Sequence, residues 1–277
     1  MKATMSSRAM KGSATWTLLI IAAFIPVKAH AQSGGYTAPR NAVVNAAGAR
    51  VINIEGGAGF LRVNGRPGLT QVRVTGVARA SSQRVLSDIR LIAERQGDRV
   101  IVKVDMPDQI NSFWDVFHGG YQRALDLTID VPIGTPLDIS DGSGELTIKG
   151  TGPVTLTDGS GNLEVSGITG NVRITDGSGN MSISGVDGDV NVDDGSGNID
   201  ANNVTGNFTI GDDGSGTVDV SGIGGTMHIS EKGSGTVKVS RVGGDFIVDS
   251  KGSGSIDYDT VKGTVNIPER RRGRYRR

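Results

Sequence analysis

Residues 158–194 read DGSGNLEVSGITGNVRITDGSGNMSISGVDGDVNVDD, two copies of one pattern and the start of a third. The same Asp-Gly-Ser-Gly corner begins at Asp141, Asp158, Asp176, Asp194 and Asp213, and continues as Lys-Gly-Ser-Gly at Lys232 and Lys251. The steps between corners are 17, 18, 18, 19, 19 and 19 residues. Seven copies in register are the signature of a stacked repeat architecture.

Within each copy the apolar residues keep a fixed order: Leu163, Val165, Ile168, Val172 and Ile174 in one, Met181, Ile183, Val186, Val190 and Val192 in the next. Pairs two apart are short strands with one face inward. The single apolar residue lies in a turn such as Gly167-Ile168-Thr169-Gly170, and the other turn is the Gly-Ser-Gly corner, where glycine takes φ > 0 at no steric cost. The pattern predicts an all-β fold, a two-strand-per-coil β-solenoid of about seven coils over residues 137–268. At ~4.8 Å per coil the rod is about 34 Å long. One coil has no partner for its strands or its apolar edge, so stability belongs to the array.

Spacing separates this coil from other solenoids. A hexapeptide helix needs an apolar residue every six positions, and calcium-binding nonapeptide repeats need Gly-Gly-x-Gly-x-Asp twice per coil. Neither fits. An ice-binding face needs a threonine ladder, whereas one outward column here reads Thr147, Glu164, Ser182, Asp200, Asp219, Lys238, Asp257.

Upstream, residues 49–136 alternate apolar and polar (Val72-Arg73-Val74, Val100-Ile101-Val102-Lys103-Val104) without the repeat, and are expected to form an irregular β-rich N-terminal cap. Gln96-Gly97-Asp98 signals a hairpin, and a short helix with a serine N-cap is expected between Ser82 and Ile89. Residues 32–48 are small and polar and read as a flexible leader. Residues 1–31 carry Lys2, Arg8 and Lys11, then an apolar stretch from Trp16 to Val27, then Ala29-His30-Ala31. That order predicts a cleavable secretory signal and a periplasmic or secreted product, with no transmembrane segment after cleavage.

The chain of 277 residues has 43 glycines and no cysteine, which excludes thiol catalysis, disulfides and Cys-ligated metal centres. Its 29 basic and 29 acidic side chains cancel only before cleavage, because the leader holds four bases and no acid. The mature chain is net −4, with +5 on residues 269–277 and −9 on the remainder.

At this level residues 50–268 resemble a bacterial putative-adhesin domain family of unknown function, through the irregular β part, the Val131-Pro132-Ile133-Gly134 entry and the Asp-Gly-Ser-Gly-x-apolar coils. The resemblance implies a β-solenoid at the cell envelope and carries no catalytic residues.

Three sets of residues are candidate sites. Phe113, Trp114, Phe117 and Tyr121 form an aromatic cluster suited either to covering the first coil or to binding a ligand. Asp193, Asp194, Asp212, Asp213 and Glu231 fall on adjacent corners and are candidates for weak calcium binding, against the simpler expectation that each Asp caps its own turn. Arg270, Arg271, Arg272, Arg274, Arg276 and Arg277 form a basic tail suited to an anionic surface. His228 falls in an outward column and is expected to be solvated. No catalytic residue and no cofactor is expected. The leading reading is a non-catalytic, adhesin-like binding or scaffold module of the envelope, its partner a glycan, an anionic lipid or a protein and not a nucleic acid. The alternatives are a polysaccharide-active β-helix enzyme, with acids in a groove, and a subunit of an envelope-stress signalling assembly.

Overall fold

A computed structural model describes residues 31–32, 35–106 and 123–268. From residue 137 onward each coil sends one strand into a twelve-stranded sheet and the next into an eleven-stranded sheet. Neighbouring copies pair in parallel at the repeat register: Leu163 on Met181 and Val165 on Ile183 in one sheet, Val172 on Val190 and Ile174 on Val192 in the other. The alternating apolar residues face the space between the sheets and are at most 3% exposed from Leu137 to Val248. Their partners on the outer face are polar with the exception of residues such as Ile247, as period-2 alternation over a core leads one to expect.

The longer coils have a local cause. On the strand Val190–Asp194 the inward residues Val192 and Asp194 are two apart, whereas on Phe208–Ser215 the equivalent Ile210 and Asp213 are three apart, and the register shifts between them. One extra outward residue is thus inserted in the bulge, and the 18-residue step becomes 19.

The N-terminal region is continuous with the rod. The strand Val51–Glu55 pairs in parallel with Leu137–Asp141 on one side and Arg99–Asp105 on the other. Leu61–Arg66 does the same between Gly144–Lys149 and Arg123–Pro132 in the facing sheet. The chain therefore builds an inner coil, passes outward, adds a second coil beyond it, and returns to start the repeats. Gln71–Ala80 then extends this end as an antiparallel strand on Arg123–Pro132. The expected hairpin joins Arg90–Gln96 to Arg99–Asp105 through Gly97. The expected helix spans Gln83–Asp88, with Ser82 accepting a hydrogen bond from the Val85 amide and Leu86 buried beneath it.

Within the stretch expected to be a flexible leader, Gly35–Asn45 is instead an eleven-residue strand paired antiparallel along Gln71–Ala80. Tyr36, Ala38, Arg40, Ala42 and Val44 take the covered face, and Arg40 donates to the carbonyls of Leu86 and Ile89, tying strand to helix. Small and polar residues on that face conceal the alternation.

Candidate functional site: a buried carboxyl column

On each repeat strand of the eleven-stranded sheet, the corner aspartate occupies the third inward position. Val172, Ile174 and Asp176 share one face, and Asp176 lies in register with Asp158 above and Asp194 below. The parity of the strand therefore carries the carboxylate inside, as the last member of an otherwise apolar row. Asp141 is 7% exposed, Asp158, Asp176 and Asp194 are each 3%, and Asp213 is fully covered. Lys232 continues the column at 3% exposure and places its Nζ 3.0 Å from Asp213 Oδ2, while also donating to the Ser234 carbonyl. Lys251 stands next in register.

Among the described residues most of these oxygens have no partner: both of Asp158 and Asp176, Oδ1 of Asp213, and Oδ2 of Asp141 and Asp194, while Asp213 Oδ2 is held by the Lys232 ammonium. Only Asp194 Oδ1 accepts a corner amide in direct geometry, from Ser196 at 3.2 Å. The capping role expected for every corner aspartate is therefore met at one. Elsewhere the amides of Gly159, Ser160, Gly177 and Ser178 favour the charged forms electrostatically without reaching hydrogen-bonding geometry.

Desolvation dominates their titration. Burial, with the neighbouring Asp158 charge, pushes Asp141 up to about 7. Burial, then Asp176 and Asp213, pushes Asp194 up to about 6. Asp158, Asp176 and Asp213 are raised by the same cause, Asp213 despite the Lys232 ammonium beside it.

The other polar columns consume their hydrogen bonds in stacking. Asn171 Oδ1 accepts from the Asp189 amide, Asp189 from Asn207, and Asn207 from Thr226. Asn198 Oδ1 accepts from Thr217, and Asp245 Oδ1 from Thr264. Each side chain thus ties its coil to the next.

The five acids read as calcium candidates fall on two faces. Asp194 and Asp213 point inward, whereas Asp193 sits outward within 3.5 Å of Arg173, and Asp212 and Glu231 are outward register partners. Among the described residues no three His, Asp or Glu side chains are grouped closely enough to hold a metal ion. His228 is outward as expected, but its Nε2 lies 2.8 Å from Asp249 Oδ2. Phe113, Trp114, Phe117 and Tyr121, and the arginines from Arg270 to Arg277, lie outside the described residues. An open polar cleft of about 440 Å³ lies where the column begins, lined by Asn53, Glu55, Asp138 and Ser140 with Asp141 at its inner wall.

Among solved structures, a candidate adhesin from Bacteroides fragilis is 15% identical, with a TM-score of 0.42 over 83% of this chain and 97% of its own. A candidate lipid-binding protein from Parabacteroides distasonis is 12% identical, with a TM-score of 0.37 over 83% and 97%. A candidate cell-adhesion protein from Clostridium sporogenes is 14% identical, with a TM-score of 0.28 over 83% and 99%. No curated protein matches the chain. The family described as Toastrack DUF4097 matches over residues 71–274. With well over half of its length matched, the chain belongs to the Toastrack DUF4097 family.

Proposed function

We propose that the protein is a non-catalytic, adhesin-like module of the bacterial envelope, binding or scaffolding through its outer faces and its basic tail. One observation carries the reading. Apart from Asp126, which pairs with Arg79, every buried acid among the described residues is a member of the repeat column. A glycan-cleaving site needs two carboxyls set apart by surroundings that push their titration in opposite directions. Here every member of the column is shifted in one direction, by burial first. The leader in residues 1–31 directs the chain to the periplasm or beyond. Among the described residues no helix is long and apolar enough to cross a membrane.

The tail supplies the surface contact in this reading. Six arginines in the last eight residues are drawn to lipid headgroup or lipopolysaccharide phosphates, and at physiological salt, where the Debye length is about 8 Å, only close contacts count. Deleting residues 270–277 is expected to abolish salt-sensitive binding to anionic liposomes and to lipopolysaccharide while leaving the melting temperature unchanged. A truncated protein that melts earlier yet binds as before would place the tail on the protein's own acidic body. Cleavage of a cell-wall polysaccharide by the pure protein would overturn the non-catalytic reading.

A further inference from the structure

We propose that Asp141, Asp158, Asp176, Asp194 and Asp213 form a proton-sharing column inside the solenoid, adjacent carboxyls joined by O–H···O hydrogen bonds, so that bound protons set the stability of the rod. The geometry leaves little else for them to do. The five stand on consecutive strands in unbroken register, about 4.8 Å apart along the rod, all inside the sheet. Seven of their ten carboxyl oxygens have neither a hydrogen-bond nor an ion-pair partner among the described residues. A carboxylate only accepts hydrogen bonds, so two adjacent carboxylates cannot satisfy one another, whereas a carboxylic acid donates to the carboxylate beside it. Such O–H···O⁻ bonds are short and strong in a dry surrounding. Each bound proton therefore removes a charge from the interior and supplies a donor to an orphaned oxygen.

The charged groups around the column fix its two ends. Lys232 and, one coil further, Lys251 close one end; burial raises Asp213 first of all, the Lys232 ammonium favours its charged form and outward Asp212 opposes it. At the other end Asp141 packs against Gly56, where even a Cβ would meet its Oδ1 at 2.0 Å, and opens toward the cleft that holds Glu55 and Asp138. Glu55 is itself paired with Lys103. The inward residues of the facing sheet, Leu146, Leu163, Met181 and Ile199, bring no charge. The five titrate as a unit, and protons are assigned to the column rather than to one member.

The sign follows from linkage. Carboxyls whose folded pKa is raised contribute stability that is complete below the unfolded value of about 3.9 and is lost as pH rises through the folded values. Those reach about 6 at Asp194 and about 7 at Asp141. The window is therefore pH 4 to 8, and mild acid tightens the rod.

The test is the melting temperature of the full chain from pH 5 to pH 8, with and without chelator, for wild type, Asp141→Asn/Asp194→Asn, which removes the two members whose titration sets the window, and the exposed control Asp200→Asn. The amide supplies donors without protons. The wild type and the control are expected to lose roughly 5 °C across the range. The double variant should melt higher at pH 8 and vary much less. In parallel, the infrared carbonyl band of protonated carboxyl should persist in the folded wild type at pH 6, a reading that stands if the double variant fails to fold. A wild type that stabilises as pH rises, a pH dependence that survives in the double variant, or the absence of that band would overturn the proposal. So would calcium restoring the pH 5 melting temperature at pH 8 with chelator reversing it, since the column would then hold cations in place of protons.

Discussion

Gly179→Ala is expected to cost roughly 4 kcal/mol or more, a large share of the about 5–15 kcal/mol that ordinarily holds a folded domain. Gly179 has φ 144°, a region closed to side chains, and a Cβ built there would lie 1.6 Å from the Gly161 carbonyl oxygen of the preceding coil. That oxygen belongs to backbone held by coil-on-coil pairing and cannot retreat. The contrast lies six residues away, at Gly185. Its φ is 63°, nothing comes closer to a built Cβ than 3.7 Å, and one coil later the same corner is occupied by Asn203 at φ 58°. Gly185→Asn should therefore change stability by less than about 1 kcal/mol. Thermal melts of the two variants side by side make the comparison. Equal losses would show that the corner responds to glycine content in general and not to the stacked carbonyl.

That contrast marks how far the repeat can be read without coordinates. The apolar order fixes the strands, the inward face and the coil length, because period 2 and a constant register leave one way to stack copies. The corner aspartates were harder to place. Asp176 stands two residues after Ile174, so parity puts it inside, while its charge and its place in a turn argue for solvent. Parity wins, and the cost appears as raised titration rather than as a flipped strand. Residues 35–45 were hidden for the opposite reason: Ala38 and Ala42 supply too little apolar surface to announce a strand, whose pairing depends on Gln71–Ala80. The order of the first coils was beyond sequence too. Val51–Glu55 sits between strands that follow it by about 50 and 85 positions, and no local signal encodes such an insertion. Among the candidate residues, adjacency of Asp193 and Asp194 in sequence conceals opposite faces, which the alternation alone could have separated.

Phe208→Ala should be the most damaging single truncation in the core, at about 3–5 kcal/mol and a fall in melting temperature of roughly 10 °C. Its column holds Leu137, Val154, Val172 and Val190 on one side and Met227 and Phe246 on the other, and Phe208 is fully buried between Val190 and Met227. The same coil carries Ala201 where its neighbours carry Ile183 and Val220, and the smaller side chain is expected to make room for the ring. Volume given up by one sheet is restored from the other, and cores tolerate such exchange when the total is kept. The single variant removes the ring without that compensation, leaving a cavity between rigidly paired strands that cannot collapse into it. Phe208→Val combined with Ala201→Ile reproduces the preceding coil at these two positions, Val190 and Ile183, and should recover most of the loss. Melting temperatures of the single, double and wild-type chains decide the matter. A double variant no better than Phe208→Ala would show that the ring is required by its stacking with the coils beneath, where Phe246 meets Tyr258 edge to face at 6.0 Å, and not by the volume of its own coil.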